Sequence, residues 1–181
     1  EEQIEELINI MNDYDYVVFY HPLSVEESCT DVEVLIGGKH HFVTKCEEKE
    51  YMLLLDLLKT TNVKVVVFDS KKLHRIHLEN NLPVQNIYFD IKLAGYLLSG
   101  GRVKTNLESF ALEFLGIDRE NLNEINSLEI CNKLYKTLEK EIVKSKEDGF
   151  DINKLLHELE IPLTSVLAKM EISGIKLDID F

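Results

Sequence analysis

Hydrophobic residues near the start of the chain change from helical to strand-like spacing. The residues at 16–20 are β-branched and aromatic with almost no polarity, which predicts a strand buried on both faces. A polar stretch over 21–30 follows it. Before the strand, four apolar residues at helical spacing predict a short amphipathic helix over residues 2–13: Ile4, Leu7, Ile8 and Met11.

Two short strand-like segments on either side of Gly37-Gly38 predict a β-hairpin. Residues 31–36 alternate in polarity, and residues 39–44 form the second run. We expect both strands to lie toward the edge of the sheet. Residues 47–60 are strong helix formers, and 64–68 is again a continuous apolar strand. A helix between two buried strands implies a parallel crossover.

Capping residues mark the elements that follow. Asp69-Ser70 can cap a helix running to about residue 80, and Asp90 can cap a helix over 91–98, after a short strand at 87–89. The chain beyond Gly100-Gly101 reads as helical. Three apolar stripes there are expected to be core, and Pro162 is expected to bend the third. The stripes are Leu107, Phe110, Ala111 and Phe114; Leu128, Leu134, Leu138 and Ile142; and Ile152, Leu155, Leu156, Leu159, Leu163, Val166, Leu167 and Met170.

This order of elements predicts one α/β domain over residues 1–181. Three antiparallel strands followed by parallel ones give a mixed five-stranded sheet with flanking helices and a helical C-terminal half. That is the arrangement of a ribonuclease H-like fold, one of several that the pattern alone allows. With 181 residues, 45% of them hydrophobic, the chain can bury one good core.

Charge and cysteine usage restrict the function further. A formal net charge of -13 argues against tight DNA binding by the domain alone, because a protein that binds the DNA phosphates needs clustered Lys and Arg. No apolar run is long enough for a membrane span and the N-terminus is acidic, so we expect a soluble, cytoplasmic protein without a membrane partner. The widely spaced Cys29, Cys46 and Cys131 are interpreted as reduced thiols.

Two segments resemble the 3'-5' exonuclease domain of bacterial family A DNA polymerases (DNA polymerase I). Residues 86–98 contain Phe-Asp-x-x-Leu-x-x-Tyr-Leu-Leu, and 67–73 resembles the strand and helix start before it. Residues 159–178 resemble the helix that leads into the polymerase domain, with Glu-x-Pro-Leu, Met-Glu and Gly-Ile-x-Leu-Asp. The resemblance implies that 159–181 begins the junction to a polymerase domain absent from this sequence, so we expect a domain of a longer protein.

The resemblance also implies a chemistry whose ligands are replaced here. Active relatives use two divalent ions, Mg2+ in general, held by about four carboxylates. The two carboxylates of the first motif, Asp-x-Glu, correspond to Tyr20 and Pro22. In the second motif, Asn-x-Lys-x-Asp, the lysine is kept as Lys71 but the metal-binding aspartate corresponds to Leu73. The third, Tyr-x-x-x-Asp, falls on Ser127 and Cys131. We therefore expect no catalytic residues, no metal and no cofactor in this domain.

Three functions are compatible with these residues. The first is a vestigial proofreading domain that supports an adjoining polymerase domain in DNA replication and repair and reaches DNA only through the parent protein. The second is an active exonuclease using displaced acids such as Asp15, Asp69 or Glu139, the last in a misregistered copy of the third motif beginning at Tyr135. The third is an adaptor that binds a protein or nucleotide in the vacated cleft. Asp90 fits a helix cap better than a ligand.

The histidines and the basic cluster have simpler explanations. His40 and His41 point to opposite faces of a strand and cannot readily share a metal. The basic cluster over 71–77 could contact phosphate, but a solvated face, or one packed on a neighbouring domain, fits the surrounding acidity better. The cluster consists of Lys71, Lys72, His74, Arg75 and His77.

Overall fold

The structure is a computed structural model that describes residues 7, 10–11, 13–20, 31–45, 54, 62–79, 81–82, 86–122, 125–146 and 151–174. The predictions for 21–30 and for most of 47–60 lie outside these residues, as do Cys29 and Cys46. Leu7, Ile10 and Met11 are helical, and Met11 is completely buried, in agreement with the expected first helix. Within the described ranges, no helix has the length and apolar character needed to cross a bilayer.

A five-stranded mixed sheet organises the domain. Its strands are β1 (Tyr16–Tyr20), β2 (Asp31–Ile36), β3 (His40–Lys45), β4 (Lys64–Val67) and β5 (Phe89–Asp90), in the spatial order β3-β2-β1-β4-β5. β1 pairs antiparallel with β2 and β2 with β3, whereas β4 runs parallel to β1 and β5 parallel to β4. This topology confirms the predicted ribonuclease H-like sheet, with the hairpin at one edge.

Seven α-helical segments are described after the fourth strand. They are α1 (Ser70–Glu79), α2 (Ile91–Ser99), α3 (Leu107–Leu115), α4 (Arg119–Leu122), α5 (Ser127–Ser145), α6 (Ile152–Leu155) and α7 (Ile161–Ser173). A π-helical segment, Leu156–Glu160, joins α6 to α7. The irregular turn lies close to Pro162, which cannot donate a hydrogen bond to the preceding turn; the expected bend at Pro162 stays a prediction.

The core lies between the sheet and α5. Val18 and Phe19 of β1 are buried, and α5 buries its predicted stripe completely, with Leu128, Leu134 and Ile142 each at most 1% exposed. The helix α5 packs against β1 and β2, and α2 and α3 pack against α5. A Cβ atom on Gly95 of α2 would lie 2.9 Å from the ring of Phe110, so only glycine allows this close approach of α2 to α3.

Two predictions about individual elements were wrong. The last strand is Phe89–Asp90, not 87–89, because its ladder pairs Phe89 with Val66 and Asp90 with Val67. The third apolar stripe is core only in its first half: Leu156 is completely buried, whereas Leu163 and Met170 are 39% and 62% exposed. The helix α7 instead buries Ile161, Thr164 and Ala168 on its opposite face.

Candidate functional site

A cavity opens where β1 and β4 end. Because the two strands are parallel, their carboxyl ends meet at the same edge of the sheet, and α1 starts directly above them. The cavity has a volume of about 190 Å³. Apolar side chains form most of its wall, and its polar groups come from one tyrosine, one aspartate and one lysine. The lining residues are Phe19, Tyr20, Val67, Phe68, Asp69, Lys72, Leu73 and Ile76.

The structure brings together four of the five positions expected from the motifs. Tyr20 and Leu73 both line the cavity. Ser127 makes a side-chain hydrogen bond with Tyr20, and Cys131 is close enough to Tyr20 to influence its ionisation. Pro22 lies outside the described residues. Residues from three separate sequence motifs thus lie at this cavity or beside Tyr20, which lines it.

The side chains at the four motif positions are neutral. Burial raises the pKa of Tyr20, and the neighbouring Cys131 raises it further, while the hydrogen bond with Ser127 lowers it. Burial also raises the pKa of the Cys131 thiol far above its ordinary value, since the thiolate would lose its solvation. Cys131 is completely buried, so it is a packed thiol rather than a nucleophile. At neutral pH, Tyr20 and Cys131 are both uncharged.

Among the described residues, one carboxylate lines the cavity and another lies near Tyr20. Asp69 lines the cavity, but its Oδ1 accepts the backbone N–H of Lys72 at 3.0 Å and its Oδ2 accepts the Lys92 ammonium at 2.6 Å. Glu33 lies opposite Tyr20 in the β1–β2 ladder, and its Oε2 is 3.7 Å from Nε2 of His41. Asp69 therefore caps α1, as predicted, and holds it to α2.

The other two displaced acids lie at the opposite end of the sheet. Lys64 donates its backbone N–H to the carbonyl of Asp15, which places Asp15 before the first residues of β1 and β4. Glu139 accepts a hydrogen bond from Tyr88 at 3.4 Å, and the Lys64 ammonium lies 4.5 Å from the Tyr88 ring centroid. Since β4 spans roughly 10 Å, neither acid shares a metal site with Asp69.

Glu139 also accepts a hydrogen bond from the hydroxyl of Tyr135 at 2.9 Å. Burial, followed by the carboxylate of Glu139, raises the pKa of Tyr135 far above its usual value. Tyr135 is 3% exposed and packs edge-on against Phe89. The apparent third motif is therefore a core tyrosine bound to a carboxylate on the next turn of its own helix.

Asp90 is the completely buried carboxylate of this region. Its Oδ2 accepts the backbone N–H of Ser70 at 2.7 Å and also the Ser70 hydroxyl, and its Oδ1 accepts the N–H of Leu93 at 2.9 Å. It is thus the N-cap of α2, as predicted, and it also binds the first residue of α1. Burial raises the pKa of Asp90 to about 6, although the hydrogen bonds oppose this change.

These residues do not fit a two-metal centre. Mg2+ requires oxygen ligands, preferably carboxylates, whereas the expected positions carry a phenol, an isobutyl group, a hydroxyl and a buried thiol. In the part of the chain that the structure describes, no group of three or more His, Cys, Asp or Glu side chains could hold a metal ion. We therefore derive no catalytic step through a metal at this site.

The basic cluster is largely used inside the domain. Lys71 forms an ion pair with Glu171 of α7 at 2.7 Å, and Arg75 forms one with Glu79 at 3.0 Å. His74 and His77 are 2% and 0% exposed, and α1 packs along α7. The two histidines are therefore not part of a solvated face, whereas Lys71, Lys72 and Arg75 remain partly exposed. Helical periodicity at positions 74 and 77 indicated burial, but their basic neighbours obscured that signal.

The strand histidines have separate partners. His40 forms a hydrogen bond with the hydroxyl of Tyr14 at 2.8 Å, and His41 lies beside Glu33. This agrees with the prediction that they do not share a metal. Sequence reasoning missed two contacts that join α1 to α2, that of Lys92 with Asp69 and that of Ser70 with Asp90. Only their positions near the two caps could have suggested this role.

The sheet order and the cavity at the ends of its first and fourth strands define a nuclease-type, ribonuclease H-like domain. The model of the family "DNA polymerase I, ribonuclease H-like domain" matches residues 25–119, just over half of the chain, so the chain belongs to this family. The DNA polymerase I of Caldicellulosiruptor bescii is 29% identical over 133 residues, covering 71% of this chain and 15% of that protein.

Two further similarities agree with this family. The DNA polymerase I of Borreliella burgdorferi is 29% identical over 153 residues, covering 74% of this chain and 16% of that protein. A solved structure, the POL domain of Pol1 from M. smegmatis in complex with DNA primer-template and dNTP, superposes with a TM-score of 0.79. The superposition covers 98% of this chain and 32% of the solved chain at 16% identity, and it shows the shared fold. The chain spans about one sixth of both curated relatives.

Proposed function

We propose that this domain is a proofreading exonuclease that has lost its nuclease chemistry. The observation that carries the proposal is the convergence of Tyr20 and Leu73 on one cavity, with Ser127 and Cys131 beside Tyr20. In active relatives of this kind, carboxylates at such positions hold two ions and offset their charge beside an anionic substrate. A phenol, an isobutyl group and a neutral thiol supply none of that charge.

The working-exonuclease alternative receives no support from the displaced acids. Asp69 is engaged by Lys92, and Asp15 and Glu139 lie at the other end of β4. Two-metal catalysis depends on ions roughly 4 Å apart. Acids at opposite ends of a strand cannot hold such a pair.

The role that we infer first is mechanical. The curated relatives are DNA polymerases I of which this chain matches about one sixth, so we infer a parent DNA-directed DNA polymerase acting in replication and repair in the cytoplasm. In it, the domain supports the adjoining polymerase domain as a packed structural module. DNA reaches the parent through the polymerase portion, because a domain this acidic binds phosphates poorly by itself.

A second function, ligand binding in the vacated cavity, is favoured by one observation. Lys72 lines the cavity, and among the described residues its ammonium has no acidic partner, while Tyr20 and Phe68 form an edge-on aromatic pair beside it. A small aromatic anion would satisfy both features. Saturable thermal stabilisation by nucleoside monophosphates, abolished by Lys72→Met, would establish this function.

The nuclease proposal is tested by incubating the purified chain with 3'-labelled single-stranded DNA in Mg2+ or Mn2+. We expect no nucleotide release above a buffer control. Metal-dependent trimming that is lost in Asp69→Asn or Glu139→Gln would show that displaced acids catalyse the reaction. Trimming that persists in Asp69→Asn and Glu139→Gln but is absent in the Tyr20→Ala variant, purified in the same way, would also contradict the proposal.

A further inference from the structure

A second cavity, which we call the hairpin cavity, lies between the β2–β3 hairpin and the start of α5. It has a volume of about 230 Å³ and shares no lining residue with the cavity at the ends of β1 and β4. Tyr20, Leu73 and Cys131 do not line it, so the former nuclease does not account for its polar groups. Its polar lining residues are Lys39, His41, Asn126, Glu129, Asn132 and Lys133.

Two ammonium groups of the hairpin cavity have no acidic partner. Lys39 follows the turn of the hairpin and Lys133 lies in the second turn of α5, and neither forms an ion pair within the described part of the chain. Glu129 supplies the one carboxylate among the described lining residues. Positive charge therefore exceeds negative charge here, although the whole chain has a formal net charge of -13. This local excess of positive charge favours an anion.

A buried amide supplies hydrogen-bond donors to the same cavity. Asn132 is 8% exposed, and its Oδ1 accepts a hydrogen bond from the hydroxyl of Tyr16 at 2.9 Å. This bond orients the amide and leaves its Nδ2 without a hydrogen-bond partner among the described residues. Buried polar groups normally have partners, so a donor left open beside two ammonium groups marks a position for ligand oxygens.

Gly38 keeps this amide open to the cavity. Its φ of 72° lies in the left-handed region that favours glycine. A Cβ atom at this position would lie 2.8 Å from Nδ2 of Asn132 and 2.9 Å from the hydroxyl of Tyr16. A larger residue would therefore cover the amide, in addition to straining the turn. The second glycine of the hairpin thus shapes the cavity as well as the turn.

We propose that the hairpin cavity binds a small phosphoryl anion, with Lys39 and Lys133 neutralising its charge and Nδ2 of Asn132 donating to one of its oxygens. Two ammonium groups match the two negative charges of a phosphate dianion, whose oxygens accept several hydrogen bonds at once. His41 can add a ring N–H. The first residues of α5 line the cavity, so the positive end of the helix dipole acts in the same direction.

The size of the cavity restricts the ligand further. Its volume is below the roughly 300–1,000 Å³ of sites for drug-sized molecules, so inorganic phosphate fits better than a complete nucleotide. A divalent cation fits poorly, because Mg2+ requires several oxygen ligands and Glu129 faces two ammonium groups. The proposal goes beyond the loss of nuclease chemistry and does not depend on it.

The test follows the side-chain amide NMR signals of Asn132 in the 15N-labelled 181-residue chain. Sodium phosphate replaces sodium chloride at constant pH and ionic strength. We expect a saturable shift of these signals, and we expect Lys39→Met and Lys133→Met each to raise the Kd about tenfold, because a charge-assisted hydrogen bond is lost. Lys140→Met removes an exposed ammonium of α5 outside the cavity and is the matched control, whose Kd should stay within about twofold.

Each other outcome would overturn the proposal. A shift that does not saturate, or that chloride produces equally, would show that the amide senses only the ionic medium. Equal weakening by Lys140→Met would show that phosphate responds to the overall charge and not to this cavity. Single-stranded DNA that binds at Asn132 more tightly than phosphate would identify a nucleic-acid contact in place of a small-anion site. The nuclease assay is independent of all these results.

Discussion

The buried carboxylate of Asp90 accepts hydrogen bonds from both the backbone N–H and the hydroxyl of Ser70. The two residues belong to different elements, because Asp90 ends β5 and Ser70 begins α1. The same carboxylate caps α2 through the N–H of Leu93. One side chain therefore stabilises the N-termini of two helices at the edge where the cavity lies.

The first prediction concerns the pH dependence contributed by Asp90. Burial raises its pKa from 3.8 to about 6, so the folded state binds the proton more tightly than the unfolded state. The resulting stability is complete below about pH 4 and is lost as the pH rises through about 6, a loss on the order of 3 kcal/mol. Asp90→Asn should remove this slope.

Urea unfolding of the unsubstituted chain and of Asp90→Asn between pH 4 and 7 measures the effect. The free energy of unfolding of the unsubstituted chain should fall relative to that of the variant as the pH rises. Asp118→Asn, which removes an exposed carboxylate, is the control for the loss of one acidic group. If the free energies of unfolding of the unsubstituted chain and of Asp90→Asn differ by the same amount at every pH, the assigned pKa is contradicted.

The second prediction concerns His74 at the interface of α1 and α7. Its Nδ1 is buried and has no hydrogen-bond partner among the described residues. Burial, followed by the charge of Lys169, lowers its pKa from 6.5 to about 4. His74→Leu should therefore raise the free energy of unfolding at pH 7 by about 1 kcal/mol, since it removes an unsatisfied polar atom.

The pH profile provides a second readout for His74. Because its pKa is lower in the folded state, it contributes stability that falls as the pH drops from about 6.5 toward 4, opposite in sign to Asp90. His74→Leu should remove that loss. His77→Leu is the matched control: His77 is equally buried but has an interaction partner, so this variant should lose stability. Destabilisation by His74→Leu at pH 7 would show that its ring is satisfied.

The third prediction tests the assignment of the former ligand positions. The double variant Tyr20→Asp/Leu73→Asp places two carboxylates in the cavity, where they repel each other until a cation binds. Millimolar Mn2+ should then raise its melting temperature, because binding only to the folded state adds stability, about 2.7 kcal/mol at 100 times Kd. Tyr20→Asn/Leu73→Asn, of the same shape without the charge, should not respond. Equal shifts in both variants would disprove the assignment.

Sequence reasoning succeeded where local rules and the fold agree. The Gly37-Gly38 pair, the apolar runs of β1 and β4, and the caps at Asp69 and Asp90 are local signals, and each appears in the structure as predicted. The positions Tyr20 and Leu73 were identified through the family resemblance, since apolar and aromatic residues carry no functional signal themselves. Their meeting in one cavity depends on the parallel pairing of β1 and β4.

Long-range contacts account for what sequence reasoning missed. Periodicity identified the apolar stripe of α7 but not the side of the helix that the domain covers, because Thr164 and Ala168 are buried in preference to larger residues. Small residues allow α7 to approach α1 closely, and the Leu and Met side chains are left outside. The ion pair of Asp69 with Lys92 could not be predicted from the sequence either, because the two residues are far apart in the chain.

The central claim is that the cavity at the ends of β1 and β4 holds no pair of divalent ions. The most direct measurement is an anomalous difference map from crystals of the protein soaked in Mn2+. Our account predicts no peaks between Tyr20 and Leu73. Two peaks about 4 Å apart in that cavity, coordinated by carboxylates, would contradict it.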